Sequence, residues 1–164
     1  MPRHSETRVL PYTPEQVFDL VADIGRYPEF LPWVQAMRIR SATPALVTAD
    51  MIVGFKMVRE RFTSRVTLDR PGHIHVDYID GPLKYLRNDW VFRGDPRGCA
   101  VDFSVDFEFK SRMFERLAGL FFGEALKRMV GAFETRAAAI YSSDAGTGTA
   151  PASGISSSSA TSAA

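Results

Sequence analysis

Along most of the chain, apolar and polar positions alternate with one of two periods, and the places where the period changes divide it into elements. Thr13-Pro14-Glu15-Gln16 joins a capping threonine, a proline at the first helical position and a glutamine that completes a capping box. This predicts a helix from Pro14 to about Ala22, with Val17, Phe18, Leu20 and Val21 crowding one side. A short strand, about Ser5 to Leu10, comes before it. From Val47 the period is two: Val47, Ala49, Met51, Val53, Phe55 and Met57 share one face, and Phe62, Ser64, Val66 and Leu68 point inward on the next strand, with Arg61, Thr63, Arg65 and Thr67 outward. Ile74, Val76 and Tyr78, then Leu86, Asn88, Trp90 and Phe92, then Cys99, Val101, Phe103, Val105, Phe107 and Phe109 repeat the pattern between turn signals at 70–72, 80–82 and 95–98. One apolar and one polar face per strand is the mark of antiparallel sheet. From Ser111 to about Ser142 the spacing becomes three and four, which predicts a helix of about 28 residues, or ~40 Å. The order strand, helix, aromatic segment, six strands, long helix predicts an α+β fold: a curved antiparallel sheet of about seven strands wrapped around a long C-terminal helix.

The aromatic segment, DIGRYPEFLPWV from Asp23 to Val34, breaks both periods. Pro28 and Pro32 each remove a backbone donor and push the preceding residue out of the α region, which excludes a long helix or a central strand. Tyr27, Phe30, Leu31 and Trp33 therefore plug the open end of a core, line a pocket, or touch an apolar partner.

Composition narrows the field. With 164 residues, 45% of them hydrophobic, and 12 Phe, the chain can build one sizeable core. A net charge of +1 gives no support to a DNA partner. A single cysteine, Cys99, excludes an internal disulfide framework and a cysteine-based zinc cluster. MPRHSETRVL has no apolar signal region and no import-peptide character, and no apolar run is long enough to span a membrane, so a cytoplasmic location is expected. Residues 1–142 are expected to form one domain. From Ser143 to Ala164 the Ser/Ala/Gly/Thr-rich tail has too little apolar area to order itself and is expected to be disordered.

Candidate chemistry is sparse. Ser64 and Asn88 lie on otherwise apolar faces, where an unpaired hydroxyl or amide costs about 1–3 kcal/mol; backbone, water or a ligand carbonyl could satisfy them. Tyr78 could reach the same space, and Glu60 stands either at a cavity mouth or in a salt bridge with Arg59 or Arg61. Gly119, Gly123 and Gly131 interrupt the long helix, either for close packing or to leave room for a ligand. Phe121 and Phe122 diverge by about 100° and belong to different environments. His73 and His75 share a strand face, but no third metal ligand stands at a helpful spacing. Asp102, Asp106 and Glu108 form the polar face of their strand. No nucleophile triad, phosphate-cradling loop or zinc signature is present. Arg38, Arg40, Lys56, Arg59, Arg61 and Arg65 are expected to cluster on the outer sheet, where they would suit phospholipid headgroups or ribosomal RNA.

Three stretches carry a resemblance. VADIGRYPEFLPW, YIDGPLKYLRNDWVF and VDFSVDFEFKSRMFERLAGLFFGEALKRMVGAFETRA resemble, in that order, the coenzyme Q-binding START-like family of the polyketide cyclase and lipid-transport superfamily. ERFTSRV, from Glu60 to Val66, is similar to the family's strand opening with an acidic residue. One departure is Val34, where many members have cysteine. The resemblance implies a helix-grip fold and a non-enzymatic role without a catalytic cofactor: binding of ubiquinone or a related isoprenoid lipid between sheet and long helix, in support of respiration. The expected wall is Met51, Val53, Phe55, Phe62, Ser64, Tyr78, Asn88, Trp90 and Phe103 with Phe121 of the helix, and Phe30, Leu31 and Trp33 lining or gating the entry. Some bacterial members resemble a ribosome association toxin that binds the large ribosomal subunit and blocks subunit joining, which is the alternative. The resemblance also implies peripheral contact with the inner face of a bacterial membrane.

Overall fold

The computed structural model describes residues 3–55 and 58–153; the side chains of Phe55, Val58, Phe114, residues 117–122 and residues 142–153 lie outside that description. Strand β1 is Arg3–Leu10 and helix α1 is Pro14–Ala22, followed by a short 3-10 helix, Ile24–Glu29. Then come β2 (Val34–Ala42), β3 (Leu46–Phe55), β4 (Val58–Asp69), β5 (His73–Asp80), β6 (Leu83–Asp95), β7 (Gly98–Phe109) and α2 (Arg112–Ser153). The seven strands form one sheet in the order β1-β7-β6-β5-β4-β3-β2, and every neighbouring pair is antiparallel. Six strands after the aromatic segment and one before it agree with the sequence reading, as does the fold class.

The capping box at α1 forms as its sequence requires. The Gln16 amide donates to Thr13 Oγ1 at 3.1 Å, and the Thr13 amide donates to Gln16 Oε1 at 3.0 Å. The helix buries Val17, Phe18, Leu20 and Val21 against the sheet. Past it, the chain can make only a single 3-10 helix containing Pro28, whose missing N–H a longer α-helix would need.

The register places Met51 opposite Phe62, Ser64 opposite Tyr78, Ile74 opposite Trp90, and Trp90 opposite Phe103, so the inward residues of β3 to β7 share one face. α1, the 3-10 helix and α2 cover it. Gly98 opens β7 at φ +135°, where a Cβ would run into the backbone of Leu10, so the close approach of β1 to the β6–β7 turn requires glycine there. α2 continues beyond Ser142, the end expected from its period, to Ser153. The apolar repeat stops at Ile140 and Tyr141, so nothing in the period signals the later turns. Residues 154–164 of the expected disordered tail lie outside the described residues.

Candidate functional site

The inner face is packed differently at its two ends. At one end, α1, the 3-10 helix and the later part of α2 form a dense core. Phe133 and Ala137 of α2 are buried there with Ile24 and Leu31, in the same cluster as Val17, Phe18, Val47, Val66 and Ile74. Phe133 is the hub: its ring lies 5.3 Å from Phe30, 5.7 Å from Tyr27 and 5.5 Å from Trp90, all edge-to-face. The Tyr27 hydroxyl donates to the Val21 carbonyl, and burial pushes the phenol pKa up. Outside, the Arg136 guanidinium lies over the Phe30 ring at 5.1 Å and donates to Glu29 at 2.9 Å. The aromatic segment is thus held between the core and a surface ion pair of its own Glu29 with Arg136 of α2.

Among the described residues, the other end is a wall with less covering it. Leu83, Phe103, Val105 and Phe107 are buried, but Phe62, Tyr78, Leu86, Trp90 and Phe109 of the sheet, with Leu126 and Met129 of α2, are only half-buried. Large apolar side chains on the inner face of a sheet are ordinarily sealed by what lies above them. Here that surface continues from Met51 and Val53, also half-buried, across to Trp90.

Polar groups interrupt the wall at few places. Ser64 is half-buried, and among the described residues its hydroxyl has no hydrogen-bond partner. Its cross-strand neighbour Tyr78 accepts the Leu83 amide at 2.9 Å, which leaves the phenolic proton to donate elsewhere; burial raises the pKa of this phenol. Asn88 is differently placed: its amide donates to the Ser104 carbonyl at 2.8 Å and accepts the Trp90 indole at 2.8 Å, so neighbours answer its need for a partner. Glu60 is half-buried opposite Val53 and forms no ion pair with Arg59 or Arg61 among the described residues. Arg59 instead bonds Gln35, and Arg61 reaches Asp80 at 3.5 Å.

One polar feature escaped the sequence reading. β1 sends His4, Glu6 and Arg8 to the inner side, opposite Val105, Phe103 and Val101. Glu6 bonds His4 and Arg8, each at 2.7 Å, and Arg8 reaches Glu134 of α2 at 3.4 Å. Hydrogen bonds from Arg8 and then His4 hold the Glu6 pKa below its ordinary value. This ionic string borders the wall along the β1 edge. Ser5 to Leu10 shows no clean alternation, so only the register could have found it.

The sequence-predicted residues therefore divide. Met51, Val53, Phe62, Ser64, Tyr78, Asn88, Trp90 and Phe103 come together on one face. Leu31 is buried in the dense core, Phe30 packs on Phe133, and the Trp33 carbonyl accepts the Gly54 amide at 2.9 Å, tying the segment to β3. The side chains of Phe55 and Phe121, and those of Lys56, Met57, Gly119 and Phe122, lie outside the described residues. A Cβ on Gly123 or Gly131 would meet nothing within 4 Å, so close packing is not their reason. Gly131 lines an outer groove with Phe30, Pro32 and Arg136 instead.

On the opposite side of the sheet, Arg38 stands opposite Asp50, Arg61 opposite Ile52 and Arg65 opposite Thr48, forming the expected basic surface on β2 to β4. Thr63 faces outward as expected yet is buried beside Asp50, which Arg40 also bonds. No helix among the described residues is long and apolar enough to cross a membrane.

The order of these elements recurs in known proteins. The chain is 38% identical over 143 residues to the mitochondrial Coenzyme Q-binding protein COQ10 homolog B of Xenopus laevis, matching 84% of this chain and 59% of that protein. It is 37% identical over 143 residues to the Ribosome association toxin RatA of Escherichia coli K12, matching 87% of this chain and 90% of the toxin. The chain thus spans less than two thirds of the Xenopus relative and most of the bacterial one. The solution structure of an 18 kDa protein from Caulobacter crescentus, 37% identical, superposes with a TM-score of 0.71 over 87% of this chain and 99% of that one. Residues 10–134, from the end of β1 to the middle of α2, match the family described as polyketide cyclase / dehydrase and lipid transport. With the α+β architecture, the inner-face wall and these relatives in agreement, the chain belongs to the polyketide cyclase / dehydrase and lipid transport family.

Proposed function

We propose that this protein binds an isoprenoid quinone, with ubiquinone the expected ligand, against the inner face of the sheet beneath α2. The observation that supports this most is the half-buried wall of Phe62, Tyr78, Leu86 and Trp90, with a Ser64 hydroxyl that has no partner among the described residues, opposite Tyr78, whose oxygen accepts the Leu83 amide and whose proton is left to donate. A quinone ring is flat and apolar with two carbonyl acceptors, so it matches aromatic faces flanked by one or two donors. A pocket of about 300–1,000 Å³ shields the ring and the first isoprene units while the rest of the tail stays in the membrane. The role is binding without a chemical step. Phe30, Leu31 and Trp33 would border the site from the aromatic segment, and Leu31 would act through the core it packs in.

The test is organic extraction and mass spectrometry of the protein purified from membranes of a quinone-producing bacterium. Bound ubiquinone close to one per chain is expected, with a clear loss in Ser64→Ala, which removes only a hydroxyl, and in Trp90→Ala, checked for folding. An empty wild-type protein under gentle purification, or unchanged quinone in folded Trp90→Ala, refutes the reading.

The outer arginines favour a second reading, association with the large ribosomal subunit, and among the described residues Arg38 and Arg65 have no ion-pair partner. It predicts cosedimentation that weakens steeply with salt and is lost in Arg38→Ala/Arg65→Ala. Cosedimentation indifferent to both would remove it.

A further inference from the structure

The outer face of β5 and β6 carries a cluster unrelated to the inner wall. His73 and His75 are two residues apart on β5, so both rings stand on one side of the sheet. Asp89, the cross-strand partner of His75, stands there too. Its Oδ1 lies 2.7 Å from His73 Nε2 and 2.7 Å from His75 Nδ1, and the three donor atoms are all within 4.8 Å of one another. The other nitrogen of His75, Nε2, lies 3.0 Å from Asp77 Oδ1.

His75 is the informative residue. Each ring nitrogen faces a carboxylate oxygen, but a neutral imidazole has one N–H to give, so one nitrogen would present a lone pair to a negative oxygen. Such an arrangement calls for a cation between ring and carboxylate: a second proton, or a metal ion. If Nε2–H is donated to Asp77, Nδ1 is turned as a ligand toward Asp89 and His73, which is how an outer carboxylate fixes the tautomer of a metal-bound histidine. We propose that His73, His75 and Asp89 bind a divalent first-row transition metal ion, with Asp77 orienting His75.

Two imidazoles and one carboxylate suit Zn²⁺, and Ni²⁺ or Cu²⁺ as well. Metal–donor distances of about 2.0–2.1 Å put tetrahedral donors roughly 3.3 Å apart. The two His–Asp contacts then open slightly and the histidines close toward each other, a change within reach of half-buried side chains on a solvent-facing surface. The remaining position opens to water. Spacing along the chain conceals the site because Asp89 is 14 residues from His75 and reaches it only through the β5–β6 pairing.

The experiment is calorimetric titration of the tag-free, metal-stripped full chain with Zn²⁺. One ion per chain is expected, binding is lost in His73→Asn/His75→Asn, and it persists in His4→Asn, the remaining histidine of three. Asp77→Asn is expected to weaken binding about 10–100-fold, as loss of an outer-shell carboxylate does. Zn²⁺ should raise the Tm of the wild type and leave the double variant unmoved, with circular dichroism confirming its fold. Saturation only at millimolar Zn²⁺, or equal binding by the double variant, overturns the site; unchanged affinity in Asp77→Asn overturns the orienting role.

Discussion

Replacing Asp50 by asparagine should destabilise the protein by about 2–3 kcal/mol at neutral pH, and the loss should vanish in acid. Asp50 is 3% exposed on the outer side of β3, accepting the Thr63 hydroxyl at 2.7 Å and the Arg40 Nε at 2.9 Å. Thr63 is itself 5% exposed, so its bond to the carboxylate is sheltered from water. The Arg40 side chain is 46% exposed, which screens its charge and leaves that contact a smaller share. A hydrogen bond to a charged group contributes about 1.5–3 kcal/mol. Asparagine keeps the shape but replaces one acceptor with a donor, so it must turn an NH₂ toward either Thr63 or the guanidinium. The Thr63 hydrogen bond, ahead of Arg40, holds the Asp50 pKa below its ordinary value even though burial acts the other way. A depressed folded pKa means the carboxylate stabilises the fold above its unfolded pKa of about 3.9, and that this contribution is lost as pH falls through the lower folded value. Urea unfolding followed by circular dichroism at pH 7, 5, 4 and 3 should give a wild-type-minus-variant difference that is flat down to about pH 5 and then shrinks. A difference below about 0.5 kcal/mol at pH 7, or one that persists undiminished at pH 3, would refute the buried carboxylate as described.

Three further substitutions test separate parts of the fold. Phe133→Ala removes the ring on which Tyr27, Phe30 and Trp90 converge and should cost about 3–5 kcal/mol in chemical denaturation; a cost under 1 would mean the dense end is not a core. Gly131→Ala, where a Cβ meets nothing, should raise stability by roughly 0.5–1 kcal/mol and lift the Tm, whereas a loss would show hidden packing at that turn of α2. Gly98→Ala combines a φ of +135° with a collision against the Leu10 backbone and should lose at least about 1–3 kcal/mol, read as a lower urea midpoint.

What could be read from the sequence was whatever repeats locally. α1 announced itself through Thr13, Pro14 and Gln16, and the inward rows of β3 to β7 through alternation. β2 carries no local signature, because an edge strand reading VQAMRIRSA leaves only Val34 and Met37 half-buried and shows little period. Pro28 and Pro32 excluded regular structure, but only the fold reveals that Tyr27 and Phe30 pack on Phe133 of α2. Alternation puts Thr63 on the correct face, yet its burial beside Asp50, which Arg40 of β2 also bonds, is a contact between strands that no local pattern shows. The two halves of the candidate site differ for the same reason. Phe62, Ser64 and Trp90 follow from strand parity, whereas the His4–Glu6–Arg8 string and the approach of Asp89 to His75 need the register between strands.

The pairing of β1 with β7 bears on synthesis. β1 pairs with the last strand of the sheet in sequence, β7, and the Thr7 to Asp102 hydrogen bond spans 95 residues. At about 5–20 residues per second, β1 waits several seconds for its neighbour, while β2 to β6 can already pair hairpin by hairpin. Contacts of such long range slow folding and leave an open edge in the meantime. Charged side chains on an edge strand disfavour pairing with another chain, and Arg3, Glu6 and Arg8 put such charges on that waiting strand.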